Sequence, residues 1–267
     1  MNVKPLLGLA LLLTVEAAGA DEAAELAKQT QNPIAALYSL PIQFNWNEQL
    51  GPTDNGIQTV TNVQPVLPFA LNDDWNLISR TIVPIIDQHS LAPNGQADKS
   101  GLGDVTQSFF FSPKHPTEGG WIWGAGPVLL MPTGSDDLLT NEQWAAGPTA
   151  VALKQFDGWT VGALANHLWS LEGSPDADRE KINATFLQPF LSYTTRTYTT
   201  FGINTESTYD WQAREWSVPV NLTVSQMLKL GGQPLTLQVG PRYWLGSTEN
   251  GADGWGFRAA ITLLFPK

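Results

Sequence analysis

From Ile34 to Phe265 the chain alternates apolar and polar residues in twelve separate stretches, and no stretch holds a helical period for three turns. The last one, Gly254–Phe265, shows the pattern most cleanly. It sets Trp255, Phe257, Ala259, Ile261, Leu263 and Phe265 against Gly256, Arg258, Ala260 and Thr262. Ile34–Trp46, Tyr198–Tyr209, Glu215–Leu228 and Pro234–Leu245 alternate nearly as well, and Ile34–Trp46 reads as a strand from its first residue. Gly, Ala or Pro blurs Ile57–Phe69, Trp75–Ile86, Gly101–Ser112, Trp121–Met131, Glu142–Gln155, Trp159–Ser170 and Lys181–Tyr193. Each stretch runs about 11–14 residues, roughly twice the usual globular strand and the length of a tilted membrane strand with its ends.

The connections are sorted by length. Leu71–Asp74, Phe156–Gly158, Thr194–Thr197 and Lys229–Gln233 are tight, and Pro113–Gly119 is somewhat longer. The ones between are longer still: Asn47–Gly56, Asp87–Ser100, Pro132–Asn141, Leu171–Glu180 and Gly246–Asp253, with Asp210–Arg214 the short exception. Short turns on one side and long loops on the other predict an all-β, transmembrane, antiparallel up-and-down β-barrel of twelve strands in an outer membrane. An even strand count then puts both ends of the barrel on the short-turn, periplasmic side.

Charge and tryptophan fit that sidedness. Charged residues make up 15% of the chain, well below the ~25% of soluble domains, and there are 11 Trp. The long-side connections hold fifteen acids, Glu48 and Asp54 through Glu249 and Asp253, against Lys99, Arg179, Lys181 and Arg214. That difference equals the whole net charge of −11, so the outer rim is expected to be acidic. Trp46, Trp144, Trp169, Trp216, Trp244 and Trp255 lie near long-loop strand ends, and Trp75, Trp121 and Trp159 near short-turn ends. Indole prefers the headgroup boundary, so these read as two aromatic girdles. The expected surroundings are outer-membrane lipid and lipopolysaccharide, with the barrel-assembly machinery as a partner during biogenesis. The negative charge argues against nucleic acid.

Ahead of the barrel, Met1–Lys4 is basic, Pro5–Val15 is apolar, and Ala18-Gly19-Ala20 fits a cleavage site. Residues 1–20 therefore read as a secretory signal peptide, 21–33 as a polar periplasmic lead with one or two helical turns, and 34–267 as the barrel. One pattern resists the strands. Pro41, Pro65, Pro68, Pro84, Pro127, Pro148, Pro189, Pro219 and Pro241 fall inside them, where a missing N–H should produce bulges or lapsed pairing.

Twelve strands enclose a lumen wider than a filled eight-stranded barrel and narrower than an open porin. The polar faces of the strands aim Gln43, Asn45, Gln64, Gln188 and a charged set into it. The candidate solute pathway is Arg80, Asp104, Asn204, Glu206, Asn221, Gln238, Arg242 and Arg258, passing a small-molecule solute. Buried ions should pair, which suggests Arg242 or Arg258 with Glu206, and Arg80 with Asp104. A purely structural network, or a surface-interaction barrel, is the alternative reading. A hydrolase in the barrel is a further one, with three His and no Gly-x-Ser-x-Gly, His-Glu-x-x-His or phosphate loop to support it. Zero Cys excludes thiolate chemistry, and neither a metal nor a cofactor is implied.

Several short runs carry a likeness: Gly124–Gly134 (GAGPVLLMPTG), Trp144–Pro148 (WAAGP), Asn166–Ser170 (NHLWS), Leu187–Phe190 (LQPF) and Trp216–Pro219 (WSVP). Together with Asn32-Pro33 and Leu40–Gln43, they resemble a bacterial outer-membrane barrel family of transporters. Its members are labelled MetA-pathway of phenol degradation proteins and are often misnamed neuromedin U. The likeness covers nearly the whole chain after residue 20. It implies a β-barrel, an outer-membrane address and transport of small, including aromatic, solutes, and carries no catalytic residues. Where many such barrels end on an aromatic residue, this chain continues past Phe265 with Pro266-Lys267.

Overall fold

The computed structural model describes residues 20–91, 98–171 and 180–266. Of the expected leader only Ala20 falls within them, and parts of two acidic loops, 92–97 and 172–179, lie outside. A helix, α1 (Ala20–Gln29), precedes a wall of antiparallel strands. In chain order these are β1 (Tyr38–Leu50), β2 (Gly56–Val63), β3 (Val66–Ala70), β4 (Trp75–His89), β5 (Lys99–Leu102), β6 (Val105–Pro113) and β7 (Trp121–Met131). There follow β8 (Ala145–Phe156), β9 (Trp159–Ser170), β10 (Asn183–Thr194), β11 (Thr199–Thr205), β12 (Ser207–Asp210), β13 (Glu215–Leu230), β14 (Gln233–Gly246) and β15 (Gly254–Phe265). β2 and β3, β5 and β6, and β11 and β12 are interrupted halves of single wall strands, so the wall has twelve. Each pairs with its chain neighbours, and β15 returns to β1 through Tyr38↔Phe265 to Trp46↔Phe257. The barrel is closed and has no free edge.

Side-chain burial runs inside out. On β13 Asn221 is 0% exposed and its neighbour Leu222 51%; on β15 Arg258 is 2% exposed and Phe257 40%. Polar residues face the lumen and large apolar ones face outward, the arrangement a lipid surround requires. Two of the short turns are the two-residue kind whose twist matches antiparallel strands: Asp157-Gly158 at φ 46° and 82°, and Gly231-Gly232 at 56° and 88°. Eight of the nine girdle tryptophans, Trp46, Trp75, Trp121, Trp144, Trp159, Trp169, Trp216 and Trp255, share the outward parity of their strands. Trp75 meets Trp123 edge to face with ring centroids 5.8 Å apart. Trp244 is the exception. It lies two residues from buried Arg242, whose guanidinium carbon sits 4.7 Å from its ring, so it faces the lumen and is no part of the girdle.

Several of the prolines sit where a ladder gives way, while Pro41 pairs in register with Thr262 and Pro68 with Ile78. The pairing of β4 changes register by one residue between Ile85↔Leu102 and Ile82↔Thr106, a bulge at Pro84, and that of β13 shifts between Val218 and Pro219. Three Gly-Pro pairs share another device. Pro127 and Pro148 face each other across β7 and β8, and the outer ladder of each lapses there without a change of register. The β13–β14 ladder lapses likewise at Gly240-Pro241. At each lapse the neighbouring strand's carbonyl, deprived of an N–H, presses onto the preceding glycine. A Cβ on Gly126 would lie 2.1 Å from the Phe109 oxygen, on Gly147 1.8 Å from that of His167, and on Gly240 1.8 Å from that of Leu222. Only glycine fits such an approach.

The first predicted strand starts too early. Ile34–Leu37 leaves the wall and folds into the barrel. Ile34 is buried among Val66, Ile78, Phe110, Val151, Leu153 and Leu164. Leu26, Ala27, Ala35 and Leu37 pack with Met227 and Leu264. Gln155 Nε2 donates to the Lys28 carbonyl at 2.9 Å, tying α1 to the wall. The lead is therefore no free polar tail: its apolar side chains seat it in the short-turn mouth.

Candidate functional site

The lumen's charged side chains converge on one wall. β14 and β15 pair with Gly240 opposite Arg258 and Gly256 opposite Arg242. Each arginine stem thus stands across from a glycine, which leaves room for both to turn toward the axis. Glu206 meets them from the gap between β11 and β12. The register there runs unshifted from Phe190↔Asn204 to Leu187↔Ser207, so the gap faces Gln188-Pro189 on β10 and Pro219 on β13. Neither proline can donate across it, and the Glu206 N–H donates to the Pro219 carbonyl at 3.3 Å.

Arg258 grips Glu206 with a fork, Nη1 to Oε1 at 2.9 Å and Nη2 to Oε2 at 2.6 Å. Arg242 Nη1 adds a bond to Oε2 at 3.2 Å. Asn45 Oδ1 accepts from Arg258 Nε at 2.8 Å and Arg242 Nη1 at 3.4 Å. Beside them Asn221 Nδ2 donates to Asn204 Oδ1 at 2.8 Å. The two arginines and Glu206 meet as the residue types suggest, and the pair of asparagines joins the same cluster.

Arg80 and Asp104 do not meet. Register pairs Arg80 with Ser108, which leaves Asp104 four residues further along the strand, about 13 Å away. Arg80 Nη2 donates to Gln64 Oε1 at 2.7 Å instead. Asp104 lies in the bulge facing Pro84 and anchors the long loop between β7 and β8. Its carboxylate accepts from Gly134 N–H at 3.2 Å, Thr140 Oγ1 at 2.6 Å, and Asn141 N–H and Nδ2 at 2.7 and 3.0 Å. It is a loop staple rather than a lining group.

Among the described residues two cavities lie in the lumen. The one toward the long loops has a volume of ≈ 340 Å³ and is lined by Asn62, Ser108, Leu164, Asn166, Phe186 and Glu206, among others. The one toward the short turns has ≈ 240 Å³, reaches Asn204, Thr223 and Gln238, and is floored by the lead from Gln29 to Leu37. Gln43, Gln64, Arg80 and Gln188 line both and form the waist. Sequence parity aimed all four inward but could not show that they share a level. Near the waist three guanidinium groups face one carboxylate, so the middle of the lumen is positive while the rim is acidic. Among the described residues, four of the six buried polar atoms without a protein partner, Asn47 Oδ1, Asn221 Oδ1, Arg242 Nε and Trp244 Nε1, belong to the strands of the charged wall, where water or a solute hydroxyl would satisfy them.

The histidines lie elsewhere. His89 contacts Asp87 at 3.2 Å at the exposed end of β4, and His167 Nδ1 meets Thr185 Oγ1 at 2.7 Å on the outward face beside Trp169. Among the described residues no cluster of three or more His, Asp or Glu could hold a metal ion.

No protein-family model matches the chain, and no curated protein matches it. Solved structures do. An outer membrane channel from Pseudomonas putida F1 superposes with a TM-score of 0.68 at 18% identity, covering 86% of this chain and 96% of that one. The NanC porin gives 0.52 at 10% identity, over 86% and 100%. The fold is a closed twelve-stranded antiparallel barrel, similar to the folds of this channel and this porin.

Proposed function

We propose that the chain is an outer-membrane channel of a Gram-negative bacterium that conducts small solutes, aromatic ones among them, and performs no chemistry on them. One observation carries this reading. The two cavities meet at a waist of amides and one arginine, so a polar path crosses the middle of the barrel instead of a packed core. The structural likeness to a channel and a porin supports it, as does the sequence resemblance to the phenol-degradation transporter family. The surplus of guanidinium groups would favour anions, an effect that salt screens only partly in a narrow, protein-walled passage.

Planar-bilayer recordings test this. The full-length protein is expected to give discrete single-channel currents with an anion-favouring reversal potential. Arg242→Ala, which leaves Glu206 paired with Arg258, is expected to reduce that preference and alter the conductance. Currents that do not change would make the charged wall a structural network only, and absent wild-type currents would overturn the channel reading.

A further inference from the structure

Among the described residues Arg80 is the one guanidinium near the waist without an ion pair of its own. Glu206 already accepts three hydrogen bonds from Arg258 and Arg242. Among the described residues the one side-chain hydrogen bond of Arg80 goes to the neutral amide oxygen of Gln64, and no carboxylate lies within ion-pair distance of it. A guanidinium enclosed in a protein lumen gains most from a charged acceptor that can use its fork. Arg80 lines both cavities.

The surroundings narrow the ligand further. Beside Arg80, Val66 and Phe190 line the inner cavity and Leu164 and Phe186 the outer one. A sugar would find amides and hydroxyls in both cavities but would leave these apolar side chains without a partner. An inorganic anion would leave the apolar surface wet. We infer that the waist binds a small monocarboxylate with an apolar body, its carboxylate on Arg80 and its body against the apolar wall. The inference rests on the channel reading above and names the solute class that would use it.

Calorimetric titration of the detergent-solubilised full chain with sodium hexanoate and with hexanamide, at fixed ionic strength in chloride, tests this on the unaltered protein. Hexanoate is expected to bind at least tenfold more tightly. Arg80→Met should remove that advantage, and Arg80→Lys should restore part of it by keeping the charge without the fork. Heat-modifiable gel migration shows whether each variant folds, and the comparison of the two ligands on the wild type needs no variant. Equal binding of acid and amide, or hexanoate binding that survives Arg80→Met, would overturn the inference. Bilayer recordings on the same preparation separate the two readings. Current without hexanoate binding removes this solute class and keeps the channel, whereas binding without current keeps the site and removes the channel.

Discussion

On one arc of the lumen Val66, Ile78, Phe110, Val151, Leu153 and Leu164 form a dry patch around Ile34; on the opposite arc Asn45, Arg242, Arg258 and Glu206 are held by directed hydrogen bonds. Both are buried, and both fill space between strands. They differ in what holds them. The apolar arc needs only shape and exclusion of water, and it takes its last member from outside the wall. The charged arc depends on every partner being present, because a buried charge left alone costs far more than a missing methyl group. A barrel can thus seat a segment from outside the wall on one side and a fixed electrostatic feature on the other without either disturbing the wall's ladders.

Breaking the charged arc should have the largest effect. Glu206→Gln leaves Arg242 and Arg258 side by side without a counter-charge, a loss on the order of 3–5 kcal/mol for a buried pair. The expected outcome is a marked fall in the temperature at which the folded, heat-modifiable gel band is lost. A variant that melts with the wild type would mean that water in the lumen, not Glu206, neutralises the arginines.

Ile34→Ala acts on the other arc. Removing a buried side chain of this size costs about 2–5 kcal/mol where the surroundings cannot collapse, but here the cost falls on the seating of the lead. Trypsin is expected to cut after exposed Lys28 sooner, while the barrel's own melting stays near the wild type. Simultaneous loss of both would show that the apolar arc supports the wall as well as the lead.

How far the chain discloses this arrangement varies with the feature. Wall strands were legible because lipid outside and water inside impose a period of two, and Trp121–Met131, Trp159–Ser170 and Gly254–Phe265 match their predicted bounds residue for residue. The same alternation misled at Ile34–Leu37, since an apolar residue that fills the lumen looks like one that faces lipid. Trp244 misled through position: a Trp near a strand end reads as interfacial, although its parity with Arg242 already pointed inward. The partner of Asp104 was hidden because neighbouring strands say nothing about height until the register is known. Arg242 and Arg258 could be matched to Glu206 because they were the inward cations with one nearby inward acid.

The smallest expected effect lies at the rim, away from both arcs. Lys99 Nζ donates to Asp136 Oδ2 at 2.8 Å, and this bond with the Leu138 N–H holds the Asp136 carboxyl below its usual range. A carboxylate with a lowered folded pKa stabilises above its unfolded value, and that contribution is lost as pH falls through the folded one. Acidification below the ordinary carboxylate range is therefore expected to loosen the loop around Asp136, read as faster proteolysis there. Asp136→Asn should abolish the pH dependence of that cleavage and leave the gel shift of the barrel unchanged. A dependence that persists would mean that the Lys99–Asp136 bond does not hold the loop.

The Gly-Pro seams bear on how the barrel finds its register. Sliding one strand by two residues keeps every side chain on its proper face, so the inside-outside pattern alone cannot forbid it. At Gly147 and Gly240 a neighbouring carbonyl lies where a Cβ would be, and such a slide in either direction would bring a residue with a side chain under it; at Gly126 a slide one way brings Val128 and the other way Gly124. The three seams work like the wards of a lock, passing one alignment of the strands and blocking its nearest imitations.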